Sequence, residues 1–183
     1  MPNTYATQND LLLNNLLEFY KLNNNMDRMI NIINGESRIS LRIIDWFATN
    51  YAKKNFTIYQ LPGKNTRFKV YNDYKLKLKA YSKRRFDPFC RWDRINVPYN
   101  ENSHIQTTIG QLNFFKWAIE NYVIEYIEQN YNAIEKDMNT RNSTAKNKNP
   151  DKSNKTRKKR EELSVSASRS IKKEKVEIIV NFD

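Results

Sequence analysis

The chain has 183 residues and a single cysteine, enough for one domain with an appended tail and too few thiols for an internal disulfide. Its most apolar stretch, residues 11–22, is interrupted by Asn14, Asn15, Glu18 and Lys21 and is too short and polar to span a membrane. With 32 Lys+Arg against 20 Asp+Glu, the formal net charge of +12 points to a polyanionic partner. Residues 1–10 lack the basic and apolar regions of a secretory signal, so the sequence reads as soluble and intracellular.

Asn9 or Asp10 is placed to cap a first helix, with Leu12, Leu13, Leu16, Leu17 and Tyr20 along one face. Asn23-Asn24-Asn25 reads as a break. Met26, Met29, Ile30 and Ile33 predict a short second helix, stopped by Asn34-Gly35. Residues 37–54 begin ambiguously. Residues 38–43 alternate as a strand would, while Ile39, Ile43, Phe47 and Tyr51 repeat at helical spacing. Helix is the better reading, with Glu36 and Ser37 in its first turn and Lys53 and Lys54 at the negative end of its dipole.

Residues 56–61 and 67–71 are short β-branched and aromatic runs around Pro62-Gly63-Lys64-Asn65, a hairpin pattern. Residues 73–86 are ambiguous again. Tyr74, Leu76, Leu78 and Ala80 alternate with lysines, but Tyr74, Leu78 and Tyr81 also form a helical stripe. A helix places the lysines on a wide solvated arc around a narrow apolar seam. Asp87-Pro88 ends it. Residues 94–99 predict a third strand, which Pro98 confines to a sheet edge.

Residues 108–138 give the clearest periodicity. Thr108 and Gln111 form a capping-box pattern, and Leu112, Phe115, Ile119, Tyr122, Val123, Tyr126, Ile127 and Ile134 follow at helical spacing. One helix of roughly 30 residues would span about 45 Å. Beyond Asn139 the composition turns to Asn, Lys, Ser, Thr and Arg, that of a disordered tail. The expected fold is therefore α+β and helix-dominated, with a small antiparallel hairpin or sheet packed among helices, a long C-terminal helix and a disordered basic tail. Residues 1–140 form one helix-rich globular domain. Residues 141–183 form the tail, with a strand-like terminus.

The positive charge is concentrated in two places. Residues 64–94 hold 11 Lys/Arg against 3 Asp/Glu, and residues 141–183 hold 13 against 6, while the remainder is slightly acidic. In the first segment Lys75, Lys79, Lys83, Arg84, Arg85, Arg91, Trp92 and Arg94 are the candidate nucleic-acid-binding residues. Arginine forks and lysine ammoniums bind phosphate oxygens, and aromatic faces accept unpaired bases. The bland alternative is a solvated lysine arc beside structural aromatics. Nothing signals base-specific readout, and the aromatic signature of an RNA-recognition sheet is missing. In the tail, Arg157, Lys158, Lys159 and Arg160 suit a phosphate-binding arm, a nuclear localisation signal or a solubilising linker. Val176, Ile178, Val180 and Phe182 alternate as a strand that adds either to a partner's sheet edge or to this protein's own sheet.

Signals of catalysis are weak. His104, the one histidine, sits in a polar Asn-Ser-His stretch and reads as a solvated loop residue. Cys90, between Phe89 and Arg91, reads as a semi-buried small hydrophobe. One His and one Cys build no His/Cys metal site, and the three glycines form no phosphate cradle. Asp87 and Asp93 suit capping or pairing with Arg91 and Arg94 better than metal binding. The expectation is a non-enzymatic protein without cofactor, metal or small-molecule substrate.

Three stretches carry a resemblance: residues 36–47 (ESRISLRIIDWF), 78–91 (LKAYSKRRFDPFCR) and 107–119 (TTIGQLNFFKWAI). The pattern, covering roughly residues 36–138, resembles an uncharacterised protein family of nucleocytoplasmic large DNA viruses, including the giant viruses. The abundance of Asn, Lys, Ile and Tyr agrees with an AT-rich genome. The resemblance implies a viral protein acting in an infected cell, around DNA replication, late transcription, genome packaging or the virion. It carries over no catalytic residue.

Taken together, these features predict a nucleic-acid-binding accessory protein, with DNA and RNA not distinguished. It would work in a cytoplasmic viral factory, in the nucleus or in the virion. The alternative is a virion structural or adaptor protein that binds other viral proteins through its long helix and terminal strand-like segment.

Overall fold

The computed structural model describes residues 7–100, 103–146 and 172–175. Helices dominate. The chain opens with α1 (Gln8–Lys21) and α2 (Asn25–Asn34). The cap of α1 is Thr7 rather than Asn9 or Asp10. Thr7 Oγ1 accepts the Asp10 N–H at 3.2 Å, and Asp10 Oδ2 accepts the Thr7 N–H at 2.8 Å. Asp10 thus serves as the returning half of a capping box, and the hydrogen bonds its carboxylate accepts from the Thr7 hydroxyl and the Thr7 N–H hold it below the ordinary value.

The predicted helix over residues 37–54 starts later and is not uniform. Ser40 caps α3 (Leu41–Trp46), accepting the Ile43 N–H at 3.4 Å. The chain then widens into a π-helical turn over Phe47–Tyr51 before α4 (Ala52–Lys54). Thr49 donates its hydroxyl to the Asp45 carbonyl at 2.7 Å, beside the widened turn. The hairpin forms as expected, with β1 (Ile58–Gln60) antiparallel to β2 (Arg67–Lys69) and Tyr59 opposite Phe68. The strand runs directly into α5 (Val70–Phe86).

A second sheet follows. Strand β3 (Ile95–Asn100) lies at its edge, as Pro98 requires, beside β4 (Ser103–Thr107). The other neighbour of β4 is β5 (Lys172–Lys175), antiparallel, with His104 opposite Glu174. Strand β4 is not legible in the sequence because its buried side chains include Ser103 and Thr107. His104 accordingly lies half-buried in a strand and not in a solvated loop. The tail residues 172–175 return to the protein's own sheet, while Val176, Ile178, Val180 and Phe182 lie outside the described residues.

The long predicted helix is three helices: α6 (Ile109–Glu120), α7 (Val123–Gln129) and α8 (Tyr131–Lys146). Two asparagines end the first two. Asn121 and Asn130 each donate from the side-chain amide to the carbonyl four residues earlier, at 2.8 and 2.9 Å. Tyr122 then takes the left-handed conformation, φ 54°. The bends return Val123, Ile127 and Ile134 to the same core, where all are buried. Helical periodicity survives such bends, so the sequence pattern does not reveal them. Among the described residues no helix is long and apolar enough to cross a membrane.

Helix α6 is the centre of this core. Ten of its twelve residues are buried, and only the edge formed by Lys116 and Glu120 meets solvent. Tyr20 of α1 donates its hydroxyl to the Leu112 carbonyl at 2.6 Å. Trp117 donates to Asp73 of α5 at 2.7 Å, and Asn113 to the Arg85 carbonyl at 2.8 Å. Gly110 lets the backbones close. A Cβ there would lie 2.9 Å from the Asp87 carbonyl oxygen and 3.0 Å from that of Arg84.

This packing is testable at two points. Gly110→Ala forces those carbonyls apart and lowers stability by about 1–3 kcal/mol, read as a lower urea midpoint with an unchanged m-value. The second point concerns alkaline pH. Burial raises the Tyr20 and Tyr59 hydroxyls well above their ordinary value. A group with a raised folded-state pKa contributes fully below the unfolded value, about 10, and its contribution falls as pH rises beyond it. Unfolding midpoints should hold steady to about pH 9.5 and then decline, and Tyr20→Phe should reduce that decline.

Candidate nucleic-acid interface

Helix α5 carries the first half of the basic segment. Lys75 and Lys79, one turn apart, are exposed. Lys77 lies off this line and borders a polar cleft of about 490 Å³ with Asp73, Tyr81, Lys116 and Trp117. The buried seam of the helix is short, chiefly Val70, Tyr74 and Phe86. This matches the narrow apolar stripe and broad lysine arc read from the sequence.

Near its end the helix breaks. Ser82 has φ 66° and ψ 166°, a region that essentially only glycine occupies, at a cost of about 1–3 kcal/mol for other residues. The gain lies four residues on. Phe86 is fully buried against Tyr74, Tyr81, Phe114 and Trp117, with ring centroids 5.8–6.1 Å away. Removing a phenylalanine of this kind costs about 3–5 kcal/mol, so anchoring Phe86 outweighs the strain. The break therefore fixes the orientation of Lys83-Arg84-Arg85. Downstream, Asp87 Oδ1 accepts the Phe89 N–H at 2.9 Å, and the Asp87 carbonyl accepts the Cys90 N–H at 3.2 Å. Cys90 is half-buried, as its neighbours suggest.

The structure sorts the candidate residues. Lys83, Arg84 and Arg91 are exposed. The Arg84 guanidinium carbon lies 3.8 Å from the Trp92 ring centroid, a cation–π contact that brings two candidates together and holds the fork in place. Arg85 belongs elsewhere. Its Nε donates to Asn9 Oδ1 at 2.8 Å and its Nη1 to Gln8 Oε1 at 3.4 Å, tying the end of α5 to the start of α1. Arg94 donates to Gln106 of β4 at 3.2 Å. Asp87 caps the turn after α5, as expected of it. Arg157, Lys158, Lys159 and Arg160 lie outside the described residues.

Several cations elsewhere are paired with carboxylates. Arg28 pairs with Glu125 at 2.6 Å, Lys54 and Arg141 with Asp137 at 3.1 and 3.2 Å, and Lys116 with Glu120. Among the described residues Lys75, Lys79, Lys83, Arg84 and Arg91 have no such partner. Two further lysines, Lys53 and Lys69, border the N-terminal end of α5 together with Phe56 and Tyr71. They stand outside the sequence-derived set because only the fold brings residues 53–58 next to residues 69–72. Among the described residues no three His, Cys, Asp or Glu side chains converge as metal ligands would.

Fold and surface define a helix-dominated α+β protein with an unpaired cationic segment on one helix and the turn beyond it. The chain belongs to a family of unknown function, DUF7197, whose model matches residues 3–183. It is 48% identical over 127 residues to the uncharacterized protein L507 of Acanthamoeba polyphaga mimivirus, a match covering 66% of this chain and 48% of that protein. The chain thus spans about half the length of the curated relative it matches. That relative belongs to a giant virus, in agreement with the resemblance carried by residues 36–47, 78–91 and 107–119. No solved structure matches the chain.

The strain at Ser82 can be tested directly. Ser82→Gly removes a conformational penalty larger than glycine's added chain entropy, and should raise stability by about 1 kcal/mol. At this size that is a rise of about 2–4 °C in Tm, measured by thermal denaturation. A fall in Tm would show that Ser82 is not strained.

Proposed function

We propose that this protein is a non-enzymatic nucleic-acid-binding accessory protein of a large DNA virus. It holds phosphate backbone on Lys75, Lys79, Lys83, Arg84 and Arg91. The observation that carries this reading is that these five cations lie close together in the chain and are exposed without a carboxylate partner among the described residues, whereas Arg28, Lys54, Lys116 and Arg141 elsewhere on the domain are each paired. Leaving several like charges unneutralised on one short segment has an electrostatic cost, and a polyanion removes it. Arg84 stacked on Trp92 presents its fork already oriented, which reduces the entropy lost on binding phosphate.

Arg157, Lys158, Lys159 and Arg160 add a second cationic segment in the same chain. Two weak phosphate-binding segments joined covalently bind more tightly than either alone, without any added interaction. Recognition is of the backbone, so affinity depends on salt and little on base sequence. The site of action is wherever viral genome or transcript lies: the cytoplasmic factory, the nucleus or the virion.

Fluorescence anisotropy of labelled single- and double-stranded oligonucleotides against the full chain tests this. The Lys75→Ala, Lys79→Ala, Lys83→Ala, Arg84→Ala quadruple variant should bind more weakly. Its plot of log affinity against log salt should flatten by about 0.9 on duplex, or about 0.7 on single strands, for each phosphate no longer neutralised. Arg85→Ala, which breaks the tie to α1, should instead lower Tm and leave the slope close to that of the parent chain. An unchanged slope in the quadruple variant would remove this surface from the proposal.

A further inference from the structure

The aromatic side chain of Phe56 is displayed where neither backbone preference nor burial accounts for it. Phe56 follows α4 in the left-handed conformation, φ 46°. The Thr57 N–H closes onto the Ala52 carbonyl at 3.1 Å and the Asn55 N–H onto that of Tyr51 at 2.9 Å, the bonding of a helix end. Glycine or asparagine ordinarily occupies such a position, and a bulky residue there is an outlier. Phe56 is nonetheless 82% exposed, and Ile58 beside it is 46% exposed.

Phe56 and Ile58 border a cavity of about 400 Å³, completed by Ala52, Thr57, Tyr71 and Asn72 with Lys53 and Lys69 at its sides. No carboxylate lines it. The Lys53 and Lys75 ammonium nitrogens each lie 5.6 Å from the centre of the Tyr71 ring. Lys75 thus adjoins the pocket through Tyr71 and leads on to the exposed Lys79 of α5. An apolar, aromatic hollow bordered by Lys53 and Lys69, with Lys75 against Tyr71, combines the two features that an unpaired base with its phosphates requires.

We propose that the pocket between Phe56 and Tyr71 stacks an unpaired base of a single-stranded nucleic acid, whose backbone continues onto Lys75 and Lys79. This rests on the nucleic-acid reading above and narrows it. A duplex keeps its bases stacked on one another and has none to offer the pocket, so the site confers a preference for single strands.

Phe56→Gly in the full chain tests the inference, because glycine suits the left-handed backbone and the fold should be kept, with Tm equal or higher. Binding of a labelled oligo(dT) should weaken about tenfold, the loss of one stacked base. Binding to a duplex of equal length should stay within about twofold, and the salt slope on both should be unchanged, since every phosphate-binding cation remains. Equal affinity of parent and variant for oligo(dT), with the quadruple lysine/arginine variant still weakened, would overturn the stacking site and leave the wider proposal standing. Failure of the parent chain to bind either strand form would overturn both. Loss of self-association in Phe56→Gly, with oligo(dT) binding intact, would assign the pocket to a protein interface and end the inference.

Discussion

Ten of the twelve residues of α6 are buried. A helix that meets solvent only along Lys116 and Glu120 must be enclosed elsewhere, and most of the remaining structure is arranged to do so. Helices α1 and α5 cover two sides, and α7 folds back beside them. Three polar groups taken inside around α6 are matched: Tyr20 to the Leu112 carbonyl, Asn113 to the Arg85 carbonyl, Trp117 to Asp73. An unmatched buried group would cost about 1–3 kcal/mol each, so these bonds fix which faces meet. Hydrophobic burial alone would leave them interchangeable.

The same enclosure positions the candidate interface. Helix α5 crosses α6 closely enough that Gly110 leaves no room for a Cβ between it and the Arg84 and Asp87 carbonyls. The break at Ser82 turns Phe86 into the aromatic cluster around Trp117, and Arg85 is drawn to α1. What stays outside is Lys83, Arg84 and Arg91, held on a rigid base. Cationic side chains on a fixed backbone lose less freedom when they bind phosphate than those on a loose loop. In this sense the core and the proposed surface are one construction.

Strain is distributed unevenly. Asn23 and Asn24 take positive φ at little cost, being residues that tolerate it, and Gly35 and Gly63 take it freely. Ser82 and Phe56 do not belong to that set. Ser82 is compensated by the burial of Phe86. Phe56 has no comparable compensation within the domain, because its ring faces solvent. Strained non-glycine residues tend to cluster where structure serves function; Ser82 and Phe56 border the segment with unpaired positive charge, whereas Tyr122, also left-handed, lies at the bend between α6 and α7.

Much of the plan was legible in one dimension. The helix-dominated α+β class, the first two helices, the hairpin around Pro62-Gly63, the edge strand with Pro98 and the basic character of residues 64–94 could all be read from composition, periodicity and turn chemistry, and the giant-virus family from the resemblance of residues 36–47, 78–91 and 107–119. These depend on properties of neighbouring residues. Three things depended on the fold alone. The stretch after Thr108 is three helices and not one, because Asn121 and Asn130 bend a pattern whose apolar spacing continues unbroken. Strand β4 hides behind polar side chains that become buried only beside β3. The basic cluster divides, since Arg85 and Arg94 find partners from α1 and β4 that are distant in sequence, while Lys53, Lys69, Phe56 and Tyr71 are gathered by the hairpin next to Lys75. Sequence determines which residues carry charge or apolar surface; only the packing of distant segments decides which of them are satisfied inside the molecule and which are left for a partner.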